Sequence, residues 1–261
     1  MWPFRISRKP TLAREFPLYD VHSHLLPGVD DGSTDPATTA AFLAAYADLG
    51  YRGIVATPHT NHPMFQTLET SEIDKQVAAL SETASPLGIS IRSGGEIMLR
   101  DSFETQFLDR RLPELGGAYL VELENRPMPV QRVLEPVLYQ LQRAGKVLIL
   151  AHPERYAEVQ KNPRILAELK VRGVLFQINL GSLTGWFGAR AQELAWRMVQ
   201  DGIADMAATD VHQLRDFQVV NSALQELEAF SSSVFRRLVS EHPGLVFSGR
   251  AQEIESAVGA G

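Results

Sequence analysis

Seven times along this chain a short apolar run is followed by a stretch with helical spacing, and that alternation limits the fold more than any other feature. Residues 16–21, 53–57, 89–93, 118–123, 146–151, 174–178 and 205–208 read as strands. The run 146–151 is apolar after its first residue, the composition of a parallel strand buried on both faces. The intervening helices have legible ends. Asp35 and Pro36 start one as N-cap and first-turn proline, it carries Phe42, Leu43, Tyr46 and Leu49 inward, and Gly50 stops it. Residues 70–84 and 102–112 follow as helices. Val130, Val133, Leu134, Val137, Leu138 and Leu141 then form a helical stripe closed by Gly145, and Pro136 inside it predicts a kink or restart. Further helices are expected over 163–171, over the face Ala191, Leu194, Ala195, Met198 and Val199 up to Gly202, and over 221–240. Strands alternating with helices, without a linker between them, predict an α/β fold of parallel strands and helical crossovers.

The ionisable residues fall at the strand ends. The stretch DVHSHLLPGVDDGS places Asp20, His22 and His24 at alternate positions, so that side chains on one strand face would point together, and Asp30 and Asp31 follow within one loop. His59 ends the second strand, Glu96 the third and Glu122 the fourth; His152, Asn179 and the pair Asp210 and His212 end the last three. Parallel strands closed into a barrel bring their carboxyl ends to one rim. Residues so far apart in sequence would therefore meet at one point. Each has a plainer reading: Glu96 after two glycines as a helix-capping carboxylate, His59 after proline as a loop residue, Arg155 as a surface arginine. Glu122 and Glu124 share a face, and one of the two is a solvated side chain. His62 is unassigned, and His242 before Pro243 reads as a turn residue. A dry core could not hold so many ionisable groups without pairing or a metal. Imidazoles and carboxylates converging in this number suit two or three divalent ions, which activate water and clamp an oxyanion. Manganese, iron and zinc all accept such donors. Arg155, three residues beyond His152, is placed to bind a phosphoryl group bidentately.

Bulk properties narrow the function. The chain of 261 residues has a net charge of −6, which argues against binding a nucleic-acid backbone. It contains no cysteine, which removes disulfides, thiolate metal sites and cysteine nucleophiles, and fits cytoplasmic residence. No apolar run is long enough to span a bilayer. Residues 1–17 read as a flexible basic extension, in which Trp2 and Phe4 beside Arg5, Arg8 and Lys9 are an alternative contact for a membrane surface or partner; residues 18–261 read as one domain.

In order, DVHSHLLPGVDDGS, ATPH, GGEI, VEL, AHPERY, INLGSLTG and TDVH resemble the PHP (polymerase and histidinol phosphatase) superfamily. More narrowly they resemble its bacterial manganese-dependent tyrosine-protein phosphatase branch, the capsule and exopolysaccharide regulators, over roughly residues 18–215. The resemblance implies a distorted seven-stranded (β/α) barrel with a trinuclear site, manganese being the first choice of metal. Residue by residue, it implies His22, His24, Glu96 and Asp210 on one ion, Glu122 and His152 on a second with Glu96 bridging, and Asp31, His59 and His212 on a third. Arg155 matches the arginine that holds the substrate phosphate, so Arg155, His152 and Asp210 are the catalytic candidates. Arg215 is the nearest match to a further arginine of the family, at shorter spacing. The implied substrate is a phosphotyrosine protein such as a membrane-associated bacterial tyrosine kinase; a homo-oligomer is left open. The rival readings are a phosphoesterase for a small phosphomonoester (histidinol phosphate or a nucleotide) and a non-catalytic regulator that docks on a kinase. Glu154 or a bound water is the candidate proton donor to the leaving group.

Overall fold

The computed structural model describes residues 10–100, 102–124 and 129–254. Its strands are β1 (Leu18–Ser23), β2 (Tyr51–Ala56), β3 (His59–Thr60), β4 (Ser90–Ser93), β5 (Glu96–Met98), β6 (Ala118–Glu122), β7 (Val147–Ala151), β8 (Leu175–Asn179) and β9 (Met206–Ala208). Every strand pairing is parallel, as alternation with helices predicted.

The expected closed barrel of seven strands is corrected to two sheets, one ordered β1-β2-β4 and the other β3-β5-β6-β7-β8-β9. The second and third expected strands correspond to β2 and β4, and each is followed by a further short strand, β3 or β5. Pro58, which lacks an N–H for the ladder, separates β2 from β3, and Gly94-Gly95 separates β4 from β5. The strands β2 and β4 pair in the small sheet, and β3 and β5 in the large one. On the other side the sheets are tied by a backbone bond from Asp210 N to the His22 carbonyl at 3.0 Å.

Two apolar layers explain why the strands are hydrophobic throughout. Along β7, Leu148 and Leu150 pack outward among the helices, whereas Val147, Ile149 and Ala151 join Val21, Val55, Leu120, Leu175 and Met206 on the inner face. Val246, Ala251 and Ile254 from the C-terminal segment complete this inner cluster. Gly116 lets that segment approach: its φ is +57°, and a Cβ there would lie 1.8 Å from the Val246 carbonyl oxygen.

The helix Pro36–Leu49 begins and ends where the sequence predicts, with the Asp35 carboxylate accepting from Ala37 N and Thr38 N at 2.9 Å and Gly50 left-handed at its end. Val130–Arg143 runs unbroken through Pro136. Arg132 and Pro136 are both exposed, so the carbonyl left without a partner meets water. The helix expected over 102–112 is confined to Phe103–Leu108, because Arg110 turns left-handed. Around 163–171 there are two helices, Ala157–Lys161 and Arg164–Val171. The expected helix over 221–240 is instead Asp216–Phe230, Ser232–Arg236 and a π-helical turn, Arg237–Glu241, divided where Ser231 adopts extended backbone and caps the second piece. His242 opens the helix His242–Phe247 with Nδ1 2.8 Å from the Asp205 carbonyl oxygen, so it is not a free turn residue. Of the N-terminal extension, Thr11 N and Leu12 N donate to the Glu228 carboxylate and Phe16 packs on Phe235; Trp2, Phe4, Arg5, Arg8 and Lys9 lie outside the described residues.

Candidate metal centre

All nine expected donor residues converge, most of them at or beyond strand carboxyl ends, whereas His59 opens β3 and Glu96 opens β5 instead of ending the strands before them. His22 and His24 come from β1 and its following loop, His59 from β3, Glu96 from β5, Glu122 from β6, His152 after β7, and Asp210 and His212 after β9. Donors of one ion with bonds of about 2.1 Å stand roughly 3 to 3.4 Å apart. That spacing recurs here. His22 Nε2 lies 3.3 Å from Glu96 Oε1 and 3.4 Å from Asp210 Oδ1; His24 Nε2 lies 3.5 Å from Glu96 Oε2 and 3.3 Å from Asp210 Oδ1. Asp31 Oδ1 is 3.4 Å from His59 Nε2 and 3.3 Å from His212 Nε2. Glu96 Oε1 is 2.9 Å from His152 Nε2, and Glu122 Oε2 is 4.0 Å from the same nitrogen. Glu96 thus faces every imidazole of the two inner groups. His59 Nδ1 turns inward too, 3.0 Å from Glu96 and 3.3 Å from Glu122.

The donor set fits cations. His22 Nε2, His24 Nε2, His59 Nδ1 and Glu122 Oε1 are buried without a hydrogen-bond partner, although orphaned polar atoms are costly. The tautomer of His22 follows from its neighbours. Asp210 Oδ2 can only accept, so Asn179 Nδ2 donates to it at 2.6 Å; Asn179 Oδ1 then accepts from Gln177 Nε2, and Gln177 Oε1 from His22 Nδ1, both at 2.8 Å. The lone pair of His22 is left on Nε2, facing the cluster. His24 is oriented likewise: its Nδ1 is 2.8 Å from Asp30 Oδ2.

The adjacent aspartates of the first loop therefore face different partners. Asp30 receives His24 Nδ1, His59 N and Gly32 N, while Asp31 points to His59 and His212 at the half-exposed mouth. Gly32 makes this turn possible, since a Cβ there would lie 2.2 Å from the His24 carbonyl oxygen. Asp20 does not join the histidines two and four residues on. The β1 register slips between Asp20 and Ser23, and Asp20 binds Tyr46 OH, Thr209 Oγ1 and Thr209 N instead.

The protein's own carboxylates favour the protonated form of His22 and His24 when no cation competes for them. Burial opposes charge on His22, yet Glu96 and Asp210 outweigh it and push its pKa up to about 9. Burial likewise opposes charge on His24, and Asp210 and Asp30 push it up to about 10. Glu96 and Asp210, despite burial, are held well below the usual carboxylate range by the same histidines. His152 and Asp210 both have left-handed backbone, with φ of 35° and 49°, strain of the kind found at functional sites.

The turn after β7 carries the other chemistry. Arg155 NH1 is 3.1 Å from Asp210 Oδ2, and its guanidinium lies 4.4 Å from the centre of the Phe187 ring. Tyr156 OH bridges Leu123 N and the Ala151 carbonyl, tying the strand that carries Glu122 to the one that carries His152. Glu154 is corrected as a proton donor. It is wholly buried, accepting from Ser182 Oγ at 2.6 Å and Asn179 N at 2.9 Å, and it fastens this turn to the 179–182 segment. Glu124 lies past the end of β6, outside the donor groups, whereas His62 lies beside His59, with ring centroids 4.8 Å apart, and joins His59 and Glu122 in a further donor group. Arg215 is exposed and lines a cavity next to His212. Sequence reasoning missed Gln177 and the aromatic pair Trp186 and Phe187; a glutamine inside an otherwise apolar buried strand was the available signal for the first.

Fold and donors together define a parallel α/β protein with a histidine- and carboxylate-rich cation site at the carboxyl ends of its strands. The chain belongs to the family described as capsular polysaccharide synthesis, CpsB/CapC, whose model matches residues 18–237. It is 30% identical over 240 residues to the tyrosine-protein phosphatase YwqE of Bacillus subtilis, covering 88% of this chain and 91% of that protein. It is 28% identical to the putative tyrosine-protein phosphatase CapC of Staphylococcus aureus, over 76% of this chain and 78% of that one. A solved structure described as one of YwqE from Bacillus subtilis and CpsB from Streptococcus pneumoniae, unique metal-dependent tyrosine phosphatases, matches with a TM-score of 0.79 at 27% identity, covering 89% of this chain and 95% of the other. A zinc-bound amidohydrolase from Burkholderia ambifaria, with a TM-score of 0.53 at 15% identity and coverage of 98% and 93%, shares the fold alone.

Proposed function

We propose that this chain hydrolyses phosphotyrosine in proteins, using two or three divalent ions, manganese first among them. The observation that carries the reading is the convergence of five overlapping histidine and carboxylate donor groups beside an arginine held by Asp210 and Phe187. His22, His24, Glu96 and Asp210 would hold one ion, Glu122 and His152 a second shared through Glu96, and Asp31, His59 and His212 a third. Bound divalent ions supply Lewis acidity toward phosphoryl oxygens and make water more acidic. Arg155 is the residue for the substrate phosphate. Its planar guanidinium, held from one side by Asp210 and from below by Phe187, presents its remaining N–H groups to two phosphoryl oxygens and to the charge that grows on them. A tyrosine phenol has a pKa of about 10, so its departure needs less protonation than that of an alkyl alcohol. No phosphocysteine can form in a chain without cysteine.

The physiological substrate fitting the family is a membrane-associated bacterial tyrosine kinase, met from the cytoplasm, with capsule or exopolysaccharide synthesis as the regulated process. No helix among the described residues is long and apolar enough to cross a membrane. The test is hydrolysis of a phosphotyrosyl peptide before chelation, after it, and after readdition of Mn, Fe or Zn, with histidinol phosphate alongside. Activity should vanish on chelation, return with metal and resist thiol alkylation. Full activity in metal-stripped protein, or turnover of histidinol phosphate but not the peptide, refutes the proposal.

A further inference from the structure

Beside the donor groups a small cavity of about 160 Å³ opens between the segment that follows β8 and the start of the helix Asp216–Phe230. Asp210 and His212 form its wall toward the donors, Phe187 and Trp186 face it from the other side, and Val219 lines it from the helix. Two of these residues face both the cavity and the donor site. Phe187 also carries the Arg155 guanidinium, and Asp210 also binds it. A phosphoryl group held by Arg155 would thus have this cavity next to it. The volume is that of a cavity able to take up benzene, about 150 Å³, and Thr209, Gln213, Arg215 and Asp216 give it a polar side as well. Trp186 is 51% exposed, although nothing in the fold requires an indole at the surface there. A Cβ at Gly181 would lie 3.1 Å from Phe187 Cε2, so the glycine eases the close approach of that ring.

We propose that this cavity receives the phenyl ring of the substrate tyrosine and thereby selects aryl over alkyl phosphate esters. The inference rests on the phosphotyrosine reading of the donor site and names the part of the protein that would make the choice. The ring lies one ester oxygen from phosphorus, so phosphate on Arg155 and ring between Trp186 and His212 are occupied together. Phe187 serves both sites, so Trp186 and Val219, which line the cavity without touching Arg155, are the side chains that test the ring site by itself.

The experiment compares wild type, Trp186→Ala and Val219→Phe, all metal-loaded. It measures KM and kcat on a phosphotyrosyl peptide and on p-nitrophenyl phosphate, and the inhibition constant of inorganic phosphate. Trp186→Ala removes an exposed wall and should fold normally; Val219→Phe fills the space, and circular dichroism with thermal melting checks that it folds. In both, KM for the aryl esters should rise about tenfold, the range expected for loss of one apolar contact surface, while inhibition by inorganic phosphate stays within about twofold of wild type. Wild-type KM in both variants overturns the proposal, and so does a parallel rise in KM and in the phosphate inhibition constant. Inactivity of metal-loaded wild type on both aryl esters overturns the underlying functional reading, a result distinct from either.

Discussion

The two ends of the same strands are built from opposite materials. At their amino ends the inner face is a dry cluster of Val147, Ile149, Leu175 and Met206, closed from below by Val246, Ala251 and Ile254. At their carboxyl ends, and at the start of the short strand β5, it becomes His22, Glu96, Glu122, His152 and Asp210, all buried. One end is stable because water has been removed from apolar surface. The other brings several charges out of water and leaves donor atoms without partners, an arrangement that bound cations would relieve. Fold stability and chemistry are therefore spatially separated along each strand, and substitutions at the two ends should fail in different ways.

The strongest contrast is expected from Glu96→Gln. Glu96 faces both inner donor groups, so activity should fall to background and metal content should drop by elemental analysis, with the fold retained in the absence of metal. A variant that keeps its full metal content and turnover would remove the basis for a shared bridging carboxylate. Ile149→Ala at the dry end should act in the reverse sense. Truncating a buried Ile costs roughly 2–5 kcal/mol, read as a lower denaturation midpoint, with kcat of the folded fraction unchanged. Asp30→Asn and Gln177→Leu remove the side-chain partners that orient His24 and His22, and such outer partners are worth roughly 10–100-fold in metal affinity. Titration with Mn should show that loss.

The smallest effect is in pH. With folded-state pKa values of about 9 and 10, above the ordinary imidazole value of 6.5, protonated His22 and His24 stabilise the metal-free fold fully below pH 6.5. That contribution is lost as pH rises through 9 to 10. Cations need the same nitrogens deprotonated, so metal affinity should rise over the interval in which metal-free stability falls. Melting curves with and without metal between pH 6.5 and 10 check this, and a metal-free midpoint that rises with pH would contradict it.

Much of this was legible in the sequence because it is local. Helix Pro36–Leu49 is framed by Asp35 and Gly50, whose effects act within one turn, and each strand end is marked by the abrupt change from apolar to ionisable residues. What was not legible depends on partners remote in sequence. Pro136 looks like a break until its exposed face is known, and Glu154 looks like a reachable acid until Ser182 and Asn179 are seen to bury it. The sheets also divide at Pro58 and Gly94-Gly95, where the pairing partner changes, and no periodicity within a single strand reports its partner.

The opening motif draws the same division most narrowly. Spacing alone determined that His22 and His24 sit at a strand end with two aspartates close by. Only the tertiary structure decided that Asp30 orients His24 while Asp31 faces His59 and His212, that Asp20 turns away, and that His22 presents Nε2. The reason is physical: residue type sets which atoms can donate or accept, but direction is set by whatever the fold places opposite them. For His22 that group is Gln177, carried in by another strand of the large sheet.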